Sequence, residues 1–200
     1  YLFALKDDSL ASVIQQLSQN IHARKGTWIH TAGSVPISVF PKSVQCGVLY
    51  PMMTLSKDKD IDFKTIPLFV EGNTPQSFKM VEDLASELSD TVYPLDSAKR
   101  KKLHLAAVFA NNFTNHCCTL AYHLLEKNGI APTVLLPIID ETAQKLHHLS
   151  PTEAQTGPAK RWDEKVMNEQ LRELADEAEL QEIYRLMSQS IHQHSHSEHD

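Results

Sequence analysis

The sequence predicts an α/β region followed by an all-α region, and three observations carry that prediction. Up to about residue 95, short apolar runs alternate with amphipathic stretches, the pattern of strands joined by helices in a largely parallel sheet. From Asp96 onward the apolar residues recur at helical spacing and no β-rich run returns. The composition, 42% hydrophobic and 22% charged over 200 residues, is that of a globular chain and excludes a disordered, collagen-like or coiled-coil one. The expected boundary leaves 1–95 as the α/β part and 96–200 as the helical part.

The elements follow in order. Tyr1-Leu2-Phe3-Ala4-Leu5 reads as a strand buried from its first residue. A chain rarely opens inside a core strand, so a segment preceding Tyr1 is expected. Asp7-Asp8-Ser9 offers N-cap chemistry, and Leu10, Val13, Ile14, Leu17 and Ile21 share one helical face that Gly26 ends. Thr27 to Thr31 is a second strand, running into the turn Ala32-Gly33-Ser34, with Val35 to Val39 as a connection. Gly47 to Tyr50 is a third strand, stopped by Pro51, and Ile66 to Val70 a fourth, closed by Glu71-Gly72-Asn73. Thr74-Pro75 pairs an N-cap with proline at the first helical position. Phe78, Val81, Leu84, Ala85 and Leu88 form that helix's apolar stripe, and Thr91 to Tyr93 is the last strand. Helices are then expected over about 97–128, 131–148, 163–175 and 177–193, punctuated by Asn128-Gly129, by Ser150-Pro151 through Gly157-Pro158, and by Asp176.

The formal charge of −6 gives no basic footprint for nucleic acid or anionic lipid. No apolar run approaches the roughly 18 residues of a membrane span; the longest, Leu103 to Ala110, contains His104. Cys46, Cys117 and Cys118 make a poor disulfide framework and show no zinc spacing, so the expected setting is a reducing cytoplasm and no metal is expected. The tail histidines His192, His194, His196 and His199 read as a fraying terminus.

Several residues stand out against this background. Lys99-Arg100-Lys101-Lys102 opposes the dipole at a helix start, either as a solvated, ion-paired face or as an attractor for an anionic ligand. His104, Asn111 and Asn115 recur at i, i+7 and i+11 within an apolar helix, with Asn112 and His116 as an i, i+4 pair on the flank. Such groups form either a satisfied internal network or helix-dimer seam, or the polar floor of a small-molecule site, because an unsatisfied buried one costs about 1–3 kcal/mol. In Thr156-Gly157-Pro158-Ala159-Lys160-Arg161-Trp162-Asp163, Gly157 permits close backbone approach, Arg161 can grip a carboxylate and Asp163 can cap the next helix; the plain alternative is a helix connector. Ala32-Gly33-Ser34, Tyr50-Pro51-Met52 and Lys6-Asp7-Asp8 each follow a strand, where α/β sheets place ligands. The sequence contains no GxSxG, HExxH, Walker loop or GxGxxG.

His30-Thr31-Ala32-Gly33-Ser34, Leu49-Tyr50-Pro51-Met52, Leu103 to Phe109 through Asn115-His116, Leu136-Pro137-Ile138-Ile139-Asp140-Glu141-Thr142 and Gln155-Thr156-Gly157-Pro158-Ala159 together carry a resemblance. Over nearly its whole length the chain resembles Rossmann-like proteins with a DUF2520 C-terminal domain. These in turn resemble the group of pyrroline-5-carboxylate reductase, prephenate dehydrogenase and 6-phosphogluconate dehydrogenase. The resemblance implies a Rossmann-like parallel sheet lacking its first units, a 6-phosphogluconate-dehydrogenase-like helical domain, a homodimer through that domain, and an NADP-dependent oxidoreductase, NAD being the alternative cofactor. Tyr50-Pro51-Met52 is similar to the His-Pro-Met segment of prephenate dehydrogenases, with tyrosine for histidine. Asn111-Asn112-Phe113 is similar to the Asn-Asn segment of β-hydroxyacid dehydrogenases, but Val108 or Ala107 stands where their catalytic lysine lies. On this reading Lys6, Thr31, Ala32, Gly33, Ser34, Tyr50 and Pro51 contact the cofactor. His104 transfers the proton, imidazole being the side chain that titrates near neutral pH. Asn112 and Asn115 orient a small, carboxylate-bearing substrate, and Asn111, His116, Thr156, Gly157 and Arg161 bind it. The alternative is a non-catalytic dinucleotide-binding or dimeric interaction module.

Overall fold

The computed structural model describes residues 1–19, 25–55 and 60–196. One five-stranded sheet has the order β1-β2-β3-β4-β5, formed by β1 (Leu2–Phe3), β2 (Trp28–His30), β3 (Cys46–Pro51), β4 (Leu68–Gly72) and β5 (Val92–Pro94). The pairs β1–β2, β2–β3 and β4–β5 are parallel, while β3 and β4 run antiparallel, with Gly47 opposite Gly72 and Pro51 opposite Leu68. A parallel return needs a crossover, usually a helix. The described part of the β3–β4 connection holds only the single 3₁₀ turn Phe63–Thr65, so β4 comes back alongside β3.

Both faces of the sheet are covered, which is why its central strands read as nearly continuous apolar runs. On one face α1 (Asp7–Ser18) lays Leu10 and Ile14 against Phe3, Trp28, Phe40 and Cys46. On the other, α2 (Pro75–Leu88) lays Val81 and Ala85 against Ile29, Leu49, Leu68 and Val70. The Thr74-Pro75 start closes into a reciprocal capping box with Ser77. The α2 stripe is narrower than expected: Ser77, Val81 and Ala85 are buried, whereas Leu84 and Leu88 lie at its exposed margin. Of the α1 face, Ile21 lies outside the described residues. The expected five-residue opening strand shrinks to two, with only Phe3 buried, because β1 is an edge strand paired on one side alone.

Packing divides the chain into two units, Tyr1–Thr114 and Asn115–Asp200. The first ends with α3 (Ser97–Ala107) and a π-helical turn, Val108–Phe113. The second contains α4 (Thr114–Lys127, beginning at the boundary), α5 (Leu136–Lys145), the single turns α6 (Pro151–Ala154) and α7 (Pro158–Arg161), α8 (Glu164–Glu173) and α9 (Ala178–His196). Its fixings are polar as much as apolar. Ser150 and Glu153 form a capping box, Asp163 caps α8 through the Val166 N–H, and Glu177 accepts from Lys127 Nζ at 2.6 Å. The α9 helix persists through His196, with the His192 ring packed at a tilt between Trp162 and His196, so the expected fraying does not reach His196; His199 lies outside the described residues.

Candidate active site at the strand ends

One face of α3 faces the sheet, and its spacing is Ser97, Arg100, His104, one residue per helical turn. Each makes a different fixing. Asp96 caps the helix, accepting from the Lys99 N–H at 2.8 Å. Ser97 donates to the Glu71 carboxylate at 2.8 Å while its oxygen accepts from the Ile37 N–H at 2.9 Å. Arg100, 1% exposed, donates one guanidinium nitrogen to Glu71 and the other to the Val35 carbonyl at 2.6 Å and to Ser97. Of the four cations at the helix start, Arg100 is thus a buried tie between α3, the end of β4 and the loop after Ser34; Lys99, Lys101 and Lys102 are exposed. The expectation of a solvated, ion-paired face holds: the three lysines are solvated, and Arg100 is the ion-paired member, though buried, since a planar fork finds a carboxylate where a lysine could not.

One turn on, the His104 Nδ1 lies 3.1 Å from the Tyr50 hydroxyl, and the two rings meet edge to face at 6.1 Å. Gly33, buried at the end of β2, is the third member: a Cβ there would come within 2.7 Å of both His104 Nδ1 and the Tyr50 ring. Only a glycine lets that backbone lie against the pair. Burial pushes the Tyr50 phenol above its ordinary value, so it is a neutral O–H donor near pH 7. Next to it, Ser34 donates to the Asp7 carboxylate. That bond replaces the expected N-cap: Asp7 lies inside the first turn of α1 and reaches across to the β2 turn, and Lys6 takes the cap position without a side-chain bond.

Tyr50 and His104 open onto a cavity of about 550 Å³, within the several-hundred-Å³ range of small-molecule sites. Met52 and Met53, at the exit of β3, form one side, and Leu103, Ala107 and Val108 the other. Asn111 and Asn112 close it from the π-turn. There the Thr114 hydroxyl donates to the Phe109 carbonyl five residues back. Such turns add a residue to the helical circuit and often mark functional sites. Among the described residues no cation lines the cavity, and no group of three or more His, Cys, Asp or Glu is placed to hold a metal.

With this geometry in hand, comparison with known proteins is informative. Residues 66–191 match the family described as a domain of unknown function, DUF2520. The chain belongs to the DUF2520 family. It is similar to a Bacteroides fragilis protein that carries the provisional name NADP oxidoreductase: 47% identity, TM-score 0.87, 96% of this chain and 74% of that one covered. It shares its fold with a Thermotoga maritima protein known by its locus name alone (23% identity, TM-score 0.79, 100% and 79% covered). It also shares it with Plasmodium falciparum pyrroline carboxylate reductase, solved with NADP bound (10% identity, TM-score 0.53, 96% and 79% covered). No curated protein matches. The fold class is therefore the Rossmann-like α/β sheet with a helical C-terminal region.

Within this DUF2520 chain the structure brings Gly33, Tyr50 and His104 together and sets Asn111 and Asn112 on the same cavity. Lys6, Thr31, Ala32, Ser34 and Pro51 sit at the ends of β1, β2 and β3. Asn115 and His116 are exposed on α4, Thr156 and Gly157 belong to the α6–α7 connection and Arg161 ends α7, all in the second unit. Gly157 has φ +103°, a conformation that favours glycine. Sequence reasoning did not find Glu71, whose role depends on a partner 29 residues away. Nor did it find the burial of Arg100, although Ser97, Arg100 and His104 recur with visible helical spacing.

Proposed function

We propose that this chain is part of a dinucleotide-dependent oxidoreductase, using NADP with NAD as the alternative, that acts on a small metabolite at the strand-end cavity. The observation that carries the reading is the Gly33–Tyr50–His104 cluster, which joins a bare strand-end backbone to a titratable ring on the wall of the cavity. His104 and Asn112 thus line a cleft beside Gly33, which favours the enzyme reading over an interaction module. The names of the Bacteroides fragilis and Plasmodium falciparum proteins support the reaction class.

The residues present fit the nicotinamide end of such a cofactor. Gly33, whose missing Cβ leaves room for the His104 and Tyr50 rings, and Ser34 lie past β2, and Tyr50 ends β3, at the strand ends where α/β sheets bind ligands. When bound, the cofactor supplies the hydride chemistry; the protein supplies position and electrostatics. His104 would exchange the proton with the reacting heteroatom, and Asn111 and Asn112 would hold the substrate by their amides. Titration of this chain and of the complete gene product with NADPH and NADH, followed by nicotinamide fluorescence, should give a saturable signal with the complete protein, and His104→Ala should keep it while losing turnover. No saturation with either cofactor overturns the reading, and unchanged turnover in His104→Ala removes the proton role.

We also infer a homodimer through the helical unit. Neither α4 nor α5 has a buried side chain, and Val134, Ile138 and Leu146 are each more than half exposed. Exposed apolar area of this kind marks an interaction face. Light scattering after size exclusion should give twice the chain mass, falling to one chain in Ile138→Glu. A monomeric wild type would refute it. The three thiols are unpaired, which supports a reducing cytoplasm. Among the described residues no helix is long and apolar enough to cross a membrane.

A further inference from the structure

The Tyr50–His104 contact settles more than position. A neutral imidazole carries one proton, and the nitrogen that bears it is chosen by the hydrogen bond at the other. His104 Nδ1 is enclosed by the Tyr50 hydroxyl at 3.1 Å and by the Gly33 backbone, so close that a Cβ on Gly33 would sit 2.7 Å away. The other neighbour of the Tyr50 oxygen is the Met52 Sδ, at 4.0 Å. A thioether at that distance is a poor acceptor beside an imidazole lone pair at 3.1 Å, so the phenolic proton belongs to Nδ1. The charged groups that act on Tyr50 are Arg100, one turn earlier on α3, and Asp7 from α1; they oppose one another, and burial keeps the phenol protonated. His104 Nε2 makes no hydrogen bond to any described residue, and the ring lines the cavity.

We propose that Tyr50 is a positioning residue that fixes His104 in the Nε2–H tautomer, so that the cavity presents an N–H donor and takes its substrate as a hydrogen-bond acceptor, a carbonyl oxygen or an imine nitrogen. Tyr50 is thereby assigned a role other than contact with the cofactor. Gly33 belongs to the same device, since any side chain there would part the two rings. The walls agree with the class: Met52, Met53, Leu103 and Val108 accommodate an uncharged body, and the polar side chains on the lining, Tyr50, Thr54, His104, Asn111 and Asn112, carry no full charge. The assignment rests on the reading of the cavity as the substrate site with His104 as the group that meets the reacting heteroatom, but its test requires neither cofactor nor substrate.

The test is long-range ¹H–¹⁵N correlation of the ¹⁵N-labelled chain at about pH 8, where an ordinary imidazole is neutral. The His104 pattern is identified by its loss in His104→Gln. A proton on Nε2, with Nδ1 displaced toward the shift of a bonded acceptor, is expected; a proton on Nδ1 overturns the proposal. In Tyr50→Phe, which retains the ring packed on Phe69, the Nδ1 signal should move to its unbonded position, and a superimposable spectrum overturns the proposal. Carbethoxylation by diethyl pyrocarbonate, read peptide by peptide, is a second measure. The rate at His104 should rise several-fold in Tyr50→Phe while exposed His116 keeps its rate, and equal rates at His104 count against the assignment. Because cofactor binding is scored by titration, failure of the oxidoreductase reading and failure of the Tyr50 assignment appear in different experiments.

Discussion

Arg100→Ala should lower the unfolding free energy by about 3–5 kcal/mol, the loss typical when one partner of a buried ion pair is removed. The size follows from what the substitution leaves behind. The Glu71 carboxylate, largely shielded, would lose its guanidinium, retaining the Ser97 hydroxyl as donor. The Val35 carbonyl would lose its 2.6 Å donor as well. Arg100→Lys should recover only part of the loss, because an ammonium cannot serve Glu71, Val35 and Ser97 in one plane. Replacing both partners, Arg100→Met with Glu71→Gln, should cost less than Arg100→Ala alone, since the penalty lies mainly in the orphaned charge. Urea denaturation of the three variants checks this, and a loss below 1 kcal/mol for Arg100→Ala would refute the account. The same variant should also loosen His104, which Arg100 precedes by one turn.

The second large effect is a dependence of stability on acid that His30 creates. Its ring is fully buried at the end of β2, its Nδ1 accepts from the Ala32 N–H at 3.2 Å, and the Phe40 ring packs on it at a tilt, 5.4 Å between centroids. Burial, reinforced by the nearby Arg100 charge, holds its pKa down at about 4 from an ordinary 6.5. The unfolded chain therefore binds the proton more readily than the folded one. Stability from this group is complete above pH 6.5 and is lost as pH falls from there to about 4. Over the full window the change is about 3 kcal/mol, at about 1.4 kcal/mol per pKa unit. His30→Gln keeps an acceptor for Ala32 and removes the titration, so its urea midpoint should vary less than that of the wild type between pH 7 and pH 4.5. Parallel pH profiles for the two proteins would exclude His30 as the source.

How much of this could be read from the chain depends on how local the cause is. The Thr74-Pro75 helix start, the Asp163 cap and the change of texture after residue 95 are decided within a few residues, and the structure has them. Gly33, Tyr50 and His104 were each legible as candidates, from a strand-end turn, a strand stop and a polar residue in an apolar helix. Their meeting was not legible, because positions 33, 50 and 104 are joined only when β2 and β3 lie side by side and α3 crosses their ends. The cationic run from Lys99 to Lys102 shows the same limit. Charge pattern alone cannot tell a solvated lysine from an arginine whose partner, Glu71, stands at the end of another strand.

The sequence by itself determined the class of the fold, the place where strand gives way to helix and most helix starts, since periodicity, proline and capping groups act over one turn of chain. Tertiary structure alone decided that β4 runs antiparallel to β3, that Arg100 is a strut and that His104 faces a cavity. Pairing direction, burial and tautomer depend on groups brought together from distant positions. Their energies, low-dielectric ion pairing and the cost of an unsatisfied donor, exist only once water has been excluded between them.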